Sequence, residues 1–255
     1  MNKLPGQYVF LMAMIFAAFC SFSSNDVFRR VDAVSVQIIF INQVKGNKIA
    51  LEDSTYTNPF GEKYTITKLR YYVSDISMER PGKNFSEKNS YHLIDESKPQ
   101  SQKIALSIPA GNYSSLHFLL GVDSLHNVSG AQTDDLDPAN DMFWTWNSGY
   151  VMAKMEGNSP ASKQVNNKIE YHIGGFSGAY NVLQEIRLNL PENSNHFEAG
   201  KSYEIFIDAD INTWWQDPYE MKIAEHASIT SPGINAKHMS ENYAKMFHIE
   251  KIISQ

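Results

Sequence analysis

Short runs of β-branched and aromatic residues recur along the chain, and the turn residues between them constrain the fold more than any other feature. The first run alternates apolar and polar residues from Val34 to Phe40 and ends at a Gly-Asn turn. Such alternation predicts strands with one face in a core. Similar runs follow at 65–73, 91–95, 104–108, 115–121, 149–156, 168–173, 184–190 and 203–209. The chain is therefore predicted to be all-β, an antiparallel sandwich or barrel.

Two segments depart from the strand pattern. Residues 122–141 form a long polar stretch, and loops of this length in compact domains are usually functional or disordered. In the tail, Tyr243, Met246 and Phe247 have the spacing of one helical face, with Ser240 as the N-cap. We therefore expect long loops and a short C-terminal helix within a single domain at 25–255.

The N-terminus carries an export signal. Residues 8–22 form an uncharged, mostly apolar run, too short to span a bilayer comfortably but typical of a signal-peptide core. Residues 1–24 are therefore predicted to be a signal peptide, and the protein is expected in the periplasm or cell envelope. Cys20, at the end of the run, offers an alternative as a lipoprotein anchor, although the bulky Phe19 before it is unfavourable for that processing.

Charge and cysteine content exclude several functional classes. The formal net charge is −6, from 22 basic and 28 acidic residues, and no basic cluster is present, which argues against nucleic-acid binding. No second apolar run of membrane-spanning length follows the signal. Loss of Cys20 with the signal leaves no thiol for disulfides or thiolate metal sites. No nucleophile elbow, phosphate loop or dinucleotide fingerprint occurs, and we predict that the protein is not an enzyme.

Trp144 and Trp146 form the most unusual local pattern. Residues two apart in a strand project from the same face, so the two indoles are expected side by side. Two large rings on one face form either a slab of core or the wall of a pocket. Composition favours core, whereas the long polar loop that directly precedes the segment favours a pocket.

The chain has eight histidines, at positions 92, 117, 126, 172, 196, 226, 238 and 248. The best candidates for metal ligands are His126, in the polar loop, and His172, just before two glycines that allow close approach to a ligand. His92 and His117 are interpreted as structural because they lie in apolar strands. Soft ligands for reduced copper are an alternative at His238-Met239 and at Met246 with His248.

A second functional interpretation rests on acidic and aromatic residues elsewhere. The acidic stretch 134–141 could bind calcium, although it lacks the glycine and closing glutamate of an EF-hand loop. Asp208 and Asp210 lie close in sequence to Trp214 and Trp215, a combination that occurs where proteins stack on sugars. The alternative is therefore a calcium-stabilised or carbohydrate-binding β-sandwich module of the cell envelope.

Five motifs in a fixed order resemble those of the MbnP family of periplasmic copper-associated proteins, which are related to the copper-repressible surface proteins of methane oxidisers. The motifs lie at 121–124, 136–138, 142–150, 154–157 and 171–175. The tail, at 231–233 and 244–247, is similar to that of members from Bacteroidetes-type bacteria. The resemblance extends from about residue 34 to residue 252, and its most specific part is the Trp-x-Trp-x-x-Gly-Tyr core.

The resemblance implies a copper protein that acts in copper acquisition, storage or transfer. It implies reduced copper, Cu(I), held by two histidines and by a tryptophan that a partner dihaem enzyme of the cytochrome c peroxidase type has oxidised to kynurenine. His172 matches the His-x-Gly position of the family. Trp144 or Trp146 is expected to be the modified residue, and His126 is expected to be the second ligand from its place in the preceding loop.

Three residues depart from the family pattern. Asp134 and Asp141 stand where glycine is expected, which would alter the turns and charge of the loop. Phe143 stands where some relatives carry a histidine, and the loss of a ligand there would weaken the case for a copper site.

Overall fold

The computed structural model describes residues 33–130, 132–145 and 148–255. The expected signal peptide with Cys20, and Trp146 of the Trp-x-Trp segment, lie outside these ranges. No helix in the described ranges is long and apolar enough to cross a membrane.

The structure consists mainly of strands. They are β1 (Ala33–Val44), β2 (Asn47–Lys48), β3 (Thr55–Thr57), β4 (Lys63–Glu79), β5 (Phe85–Ser86), β6 (Tyr91–Asp95), β7 (Lys103–Pro109), β8 (Gly111–Asn112), β9 (Ser115–Leu120), β10 (Phe143–Thr145), β11 (Gly149–Asn158), β12 (Lys168–Gly174), β13 (Gln184–Asn189), β14 (His196–Phe197), β15 (Ser202–Asp210), β16 (Ser228–Ile229) and β17 (Phe247–Ser254). The helices are α1 (Ser124–Val128), α2 (Ile223–His226) and α3 (Ile234–Tyr243). The all-β prediction is confirmed.

The smaller of the two main sheets has β1 at its centre. β1 pairs with β15 in parallel and with β7 and β2 antiparallel, and β17 extends the sheet on the far side of β15. Polar and apolar residues alternate along β1, and its apolar residues are buried on one face. This strand therefore behaves as its sequence pattern predicted, although its parallel partner comes from a distant part of the chain.

The larger sheet is organised by the 17-residue strand β4. Tyr71 of β4 pairs with Ala153 of β11 on one side and with Ile94 of β6 on the other. β9 pairs with the C-terminal half of β4, and β12 extends the sheet beyond β11. The order β6, β4, β11, β12 sets the distances between the candidate site residues.

Aromatic contacts join the two sheets. Phe40 and Phe247 belong to the smaller sheet, and Tyr71 and Phe118 belong to the larger one. Their rings meet edge to face, with centroids 5.1 to 6.2 Å apart. The Tyr71 hydroxyl also donates a hydrogen bond across the core to Asn42 Oδ1 at 2.9 Å. The sheets are thus held by apolar burial together with a satisfied polar contact.

The tail differs from its prediction. The C-terminal helix is present, but it ends at Tyr243, and Ser240 lies inside it and donates to the carbonyl of Lys237 rather than capping the N-terminus. Phe247 begins β17, which pairs with β15. The helical spacing was misleading because burying Phe247 between the sheets and completing backbone pairing along β15 outweigh two more helical residues.

The polar segment 122–141 is folded rather than irregular. It contains α1, whose N-terminus is capped by the Asp123 side chain, and two 3-10 turns at Asp134–Leu136 and Pro138–Asn140. Val122, Asn127 and Leu136 are buried. The segment packs over one face of the large sheet, where the Tyr72 hydroxyl donates to the backbone carbonyl of Asp135.

Replacing Phe247 with alanine should destabilise the fold by about 3–5 kcal/mol because it opens a cavity between the sheets. Ile253, farther along β17, is 40 % exposed. Ile253→Ala should therefore cost much less and serves as the control on the same strand. Urea unfolding followed by fluorescence measures both variants, and equal losses would contradict the assigned role of Phe247.

Candidate functional site

Trp144 packs its indole against Gly174 of β12. A Cβ atom added at Gly174 would lie 2.7 Å from the indole Cζ3 and 2.8 Å from the Tyr150 carbonyl oxygen, so both contacts require a residue without a side chain. His172 lies two residues earlier in β12, and alternate residues of a strand share a face. Its neighbours Tyr171 and Ile173 are buried on the opposite, core-facing side. The structure therefore places the Trp144 indole against the face of β12 that also carries His172, the outer face of the large sheet.

A carboxylate holds the His172 ring. Nε2 lies 2.8 Å from Oε1 of Glu156 on β11, and the His172 side chain is 17 % exposed. The hydrogen bond from His172, with the nearby charge of Lys68, lowers the pKa of Glu156 to about 2, against a smaller opposing effect of burial. An ionised carboxylate can only accept, so Nε2 is the donor, and in the neutral ring Nδ1 is the nitrogen with the lone pair. This is the tautomer that suits a metal at Nδ1.

Three cations from β4 and β11 converge on the end of the folded loop, beside the same face. Lys68 Nζ lies 2.9 Å and Lys154 Nζ lies 3.0 Å from Oδ2 of Asp141, and Arg70 donates to the carbonyl of Asn140 at 2.9 Å. Lys154 also donates to the backbone carbonyl of Asp141. Burial alone would raise the pKa of the Asp141 carboxyl, but the hydrogen bonds from the two lysines more than offset it and lower that pKa.

The two departures from glycine fit the local backbone. Asp134 and Asp141 adopt φ values of 55° and 57°, in the left-handed region that glycine favours and that aspartate tolerates better than most residues. The turns expected of glycine are therefore kept. At Asp141 the substitution also adds a carboxylate that pairs with Lys68 and Lys154.

His126 lies in a separate polar cluster. Its Nδ1 is 2.8 Å from Oδ2 of Asp123 and 2.6 Å from the hydroxyl of Tyr91, which itself donates to the same carboxylate oxygen. Burial raises the pKa of Asp123, but the hydrogen bonds from Tyr91 and His126 outweigh it, and the pKa is lowered. The carboxylate again fixes the proton on Nδ1 and leaves Nε2 as the acceptor. The ring borders a cleft of about 320 Å³ formed with Ser90 and Gln132.

The structure does not bring His126 and His172 together. His126 contacts Tyr91 of β6, and His172 lies on β12. Since β4 and β11 stand between these strands, three strand spacings, about 14 Å, separate Tyr91 from His172 across the sheet. Tyr91 pairs with Ser74 whereas His172 is level with Arg70, so an offset of four residues along β4 separates them further. Each histidine has its own carboxylate partner, Asp123 for His126 and Glu156 for His172.

The other candidate residues have structural partners. His92 pairs with Glu87 at 3.0 Å, and His117 contacts the Ser115 hydroxyl at 2.8 Å, in agreement with structural roles. The sulfur of Met246 is buried and accepts from the Trp214 indole at 3.4 Å. Phe143, at the position of a histidine in some relatives, packs edge to face on Tyr150.

The residues that suggested the alternative function are either buried in the core or accept hydrogen bonds from neighbouring residues. Trp214 and Trp215 are both 0 % exposed, so neither indole offers a face to a sugar. Asp210 accepts from the backbone N–H groups of Lys45 and Asn212, and Asp208 accepts from the Gln43 amide. These contacts explain why carboxylates and tryptophans are close in sequence here without forming a binding surface.

Sequence reasoning missed the residues that hold the candidate ligands. Glu156, Lys154 and Lys68 were not assigned a role, although 154–157 is one of the motifs. A signal was present in the strand pattern. Lys154 and Glu156 are polar residues at alternate positions between apolar ones, which indicates that they share the face opposite the core. The contact between Asp123 and Tyr91 had no such pattern in the sequence, because it depends on how the loop folds over β6.

Comparison with known proteins places the chain in a family. The family model MbnP matches residues 33–236. Among solved structures, MbnP from Methylosinus trichosporium is similar in fold, with a TM-score of 0.55 and 13 % sequence identity, covering 88 % of this chain and 99 % of that protein. Comparison with curated proteins gives no significant match. Because the family model spans most of the residues, the chain belongs to the MbnP family.

Proposed function

We propose that the protein is an exported, non-enzymatic copper-binding protein that acts in copper acquisition, storage or transfer. The MbnP family consists of extracellular or periplasmic proteins linked to copper biology. The observation that carries the proposal is the contact of Trp144 with Gly174, on the same face of β12 as His172. The imidazole of His172 and a modifiable indole thus occupy the same face of one strand.

The residues on this face fit copper as a cargo. Imidazole nitrogen is a good ligand for copper, and ligand histidines commonly donate their other ring N–H to a carboxylate. Glu156 holds Nε2 of His172 in that way, which leaves Nδ1 for the metal. Oxidation of the Trp144 indole to kynurenine would add an aromatic amine and a carbonyl as further ligand groups. We propose Trp144 as the modified residue because its indole lies against Gly174, on the face of β12 that carries His172.

His126 remains the proposed second ligand. Its Nδ1 is held by Asp123, so Nε2 is the free ring nitrogen. Because three strand spacings separate Tyr91 from His172, a shell with both imidazoles needs α1 to leave its contact with Tyr91 and move towards β12, while Asp141 stays held by Lys68 and Lys154. On this proposal His172 and Trp144 are already in position in the metal-free protein, and His126 becomes a ligand when copper binds.

Replacing His172 with alanine should remove a copper ligand. The loss of Cu(I) affinity should therefore exceed the roughly 10–100-fold that follows removal of a residue that only orients a ligand. Competition titration against a Cu(I) chelator measures the change. His196→Ala is the control, because that exposed ring contacts Asn112 far from this face. His126→Ala tests the second ligand separately. Wild-type affinity in His172→Ala would show that the site is wrongly assigned.

Co-production with the partner dihaem oxidase should convert one tryptophan to kynurenine. Mass spectrometry of the peptide that contains Trp144 should show the corresponding mass change, and Trp144→Phe should abolish it. Trp146→Phe is the matched control and should leave the change in place. Persistence of the modification in Trp144→Phe would assign it to Trp146 instead.

A further inference from the structure

One lysine connects the two halves of the candidate site. Lys68 Nζ lies 2.9 Å from Oδ2 of Asp141 and 3.4 Å from Oε2 of Glu156. The other oxygen of Glu156 holds the His172 ring, and Asp141 precedes Trp144 by three residues. Lys68 is therefore the point where the segment that carries the tryptophan meets the carboxylate that orients the histidine.

Lys68 belongs to a network of opposite charges. Lys68, Arg70 and Lys154 pair with Asp141, Glu156 and Asp95, and Lys98 also lies 3.8 Å from Asp95. The Lys154 side chain is only 4 % exposed, and an unpaired charge so deeply placed would be costly. Rearranging one ion pair therefore disturbs the others, and the network fixes positions more effectively than a single surface ion pair would.

The three cations Lys68, Arg70 and Lys154 differ in which parts of the site they connect. Lys154 and Arg70 hold the end of the loop, through Asp141 and the carbonyl of Asn140. Lys68 alone among these three forms ion pairs with both Asp141 and Glu156. Removing the Lys68 charge would leave the loop anchored but would separate it from the carboxylate of Glu156.

We propose that Lys68 is a positioning residue that couples the orientation of the His172 ring to the placement of Trp144 over Gly174. A change at Glu156 is transmitted through Lys68 to Asp141 and from there along three residues to the indole. The part of this inference that concerns copper affinity rests on the proposed function, whereas the coupling itself is a property of the metal-free protein.

The coupling is tested without metal by NMR of the ¹⁵N-labelled mature protein. The Trp144 indole N–H resonance is assigned by its absence in Trp144→Phe. Glu156→Gln should shift this resonance in the wild-type background but not in the Lys68→Met background, and Lys68→Arg should restore the shift. Lys168→Met, which removes a lysine paired with Glu170 on β12, is the control and should leave the coupling intact.

An equal response to Glu156→Gln with and without the Lys68 charge would overturn the proposal. Retained dispersion of the remaining amide resonances checks that each variant is folded, and Lys68→Gln replaces Lys68→Met if the latter unfolds.

A second arm measures Cu(I) affinity. Lys68→Met should weaken it roughly 10-fold, Lys68→Arg should recover most of the loss, and Lys168→Met should have no effect. If the wild type binds no copper, the proposed function is wrong. The indole resonance then still decides whether the metal-free coupling exists. If the wild type binds copper but the indole resonance shows no coupling, only the role of Lys68 is overturned.

Discussion

The edge-to-face packing of Phe40, Tyr71, Phe118 and Phe247 is the contact on which the rest of the structure depends. It fastens the smaller sheet to the inner faces of β4 and β9 in the larger one. The inward-facing residues of the neighbouring strands β11 and β12 are buried as well. Because burial on that side supplies the cohesion, the outer face of the same strands is free to carry charged and polar groups. The candidate site lies on this second face.

On the outer face, fixed geometry comes from ion pairs rather than from burial. A partly desolvated ion pair contributes little net stability, since the loss of hydration offsets most of the attraction, but it strongly penalises misplaced charges. Lys68 and Lys154 therefore restrict where Asp141 can lie, and Glu156 restricts the His172 ring. Gly174 adds a steric constraint, because only glycine leaves room for the Trp144 indole. These contacts preorganise one side of a metal site.

The strands were predictable because burial on one face leaves an alternating pattern in the sequence, and β6 was predicted with both its ends. The tail was not, because residues 243, 246 and 247 fit one helical turn as well as a helix end followed by a strand. Partners across strands, such as Glu156 and His172, depend on register, which alternation does not specify. The separation of His126 from His172 depends on how segment 122–141 folds over the sheet, and its polar composition gave no indication of that.

On the proposed function, the contact between Trp144 and Gly174 forms part of a copper site with His172. The most direct test is the Cu(I) affinity of Gly174→Ala, in which the added methyl group meets the indole and also the Tyr150 carbonyl oxygen, so the dispersion of its amide resonances is used to check that the variant is folded. Gly233→Ala is the matched control, because a Cβ there meets nothing within 4 Å. We expect a roughly 10–100-fold loss of Cu(I) affinity in Gly174→Ala, as when a ligand loses its positioning group, and no change in Gly233→Ala. Equal, wild-type affinity in both variants would contradict it.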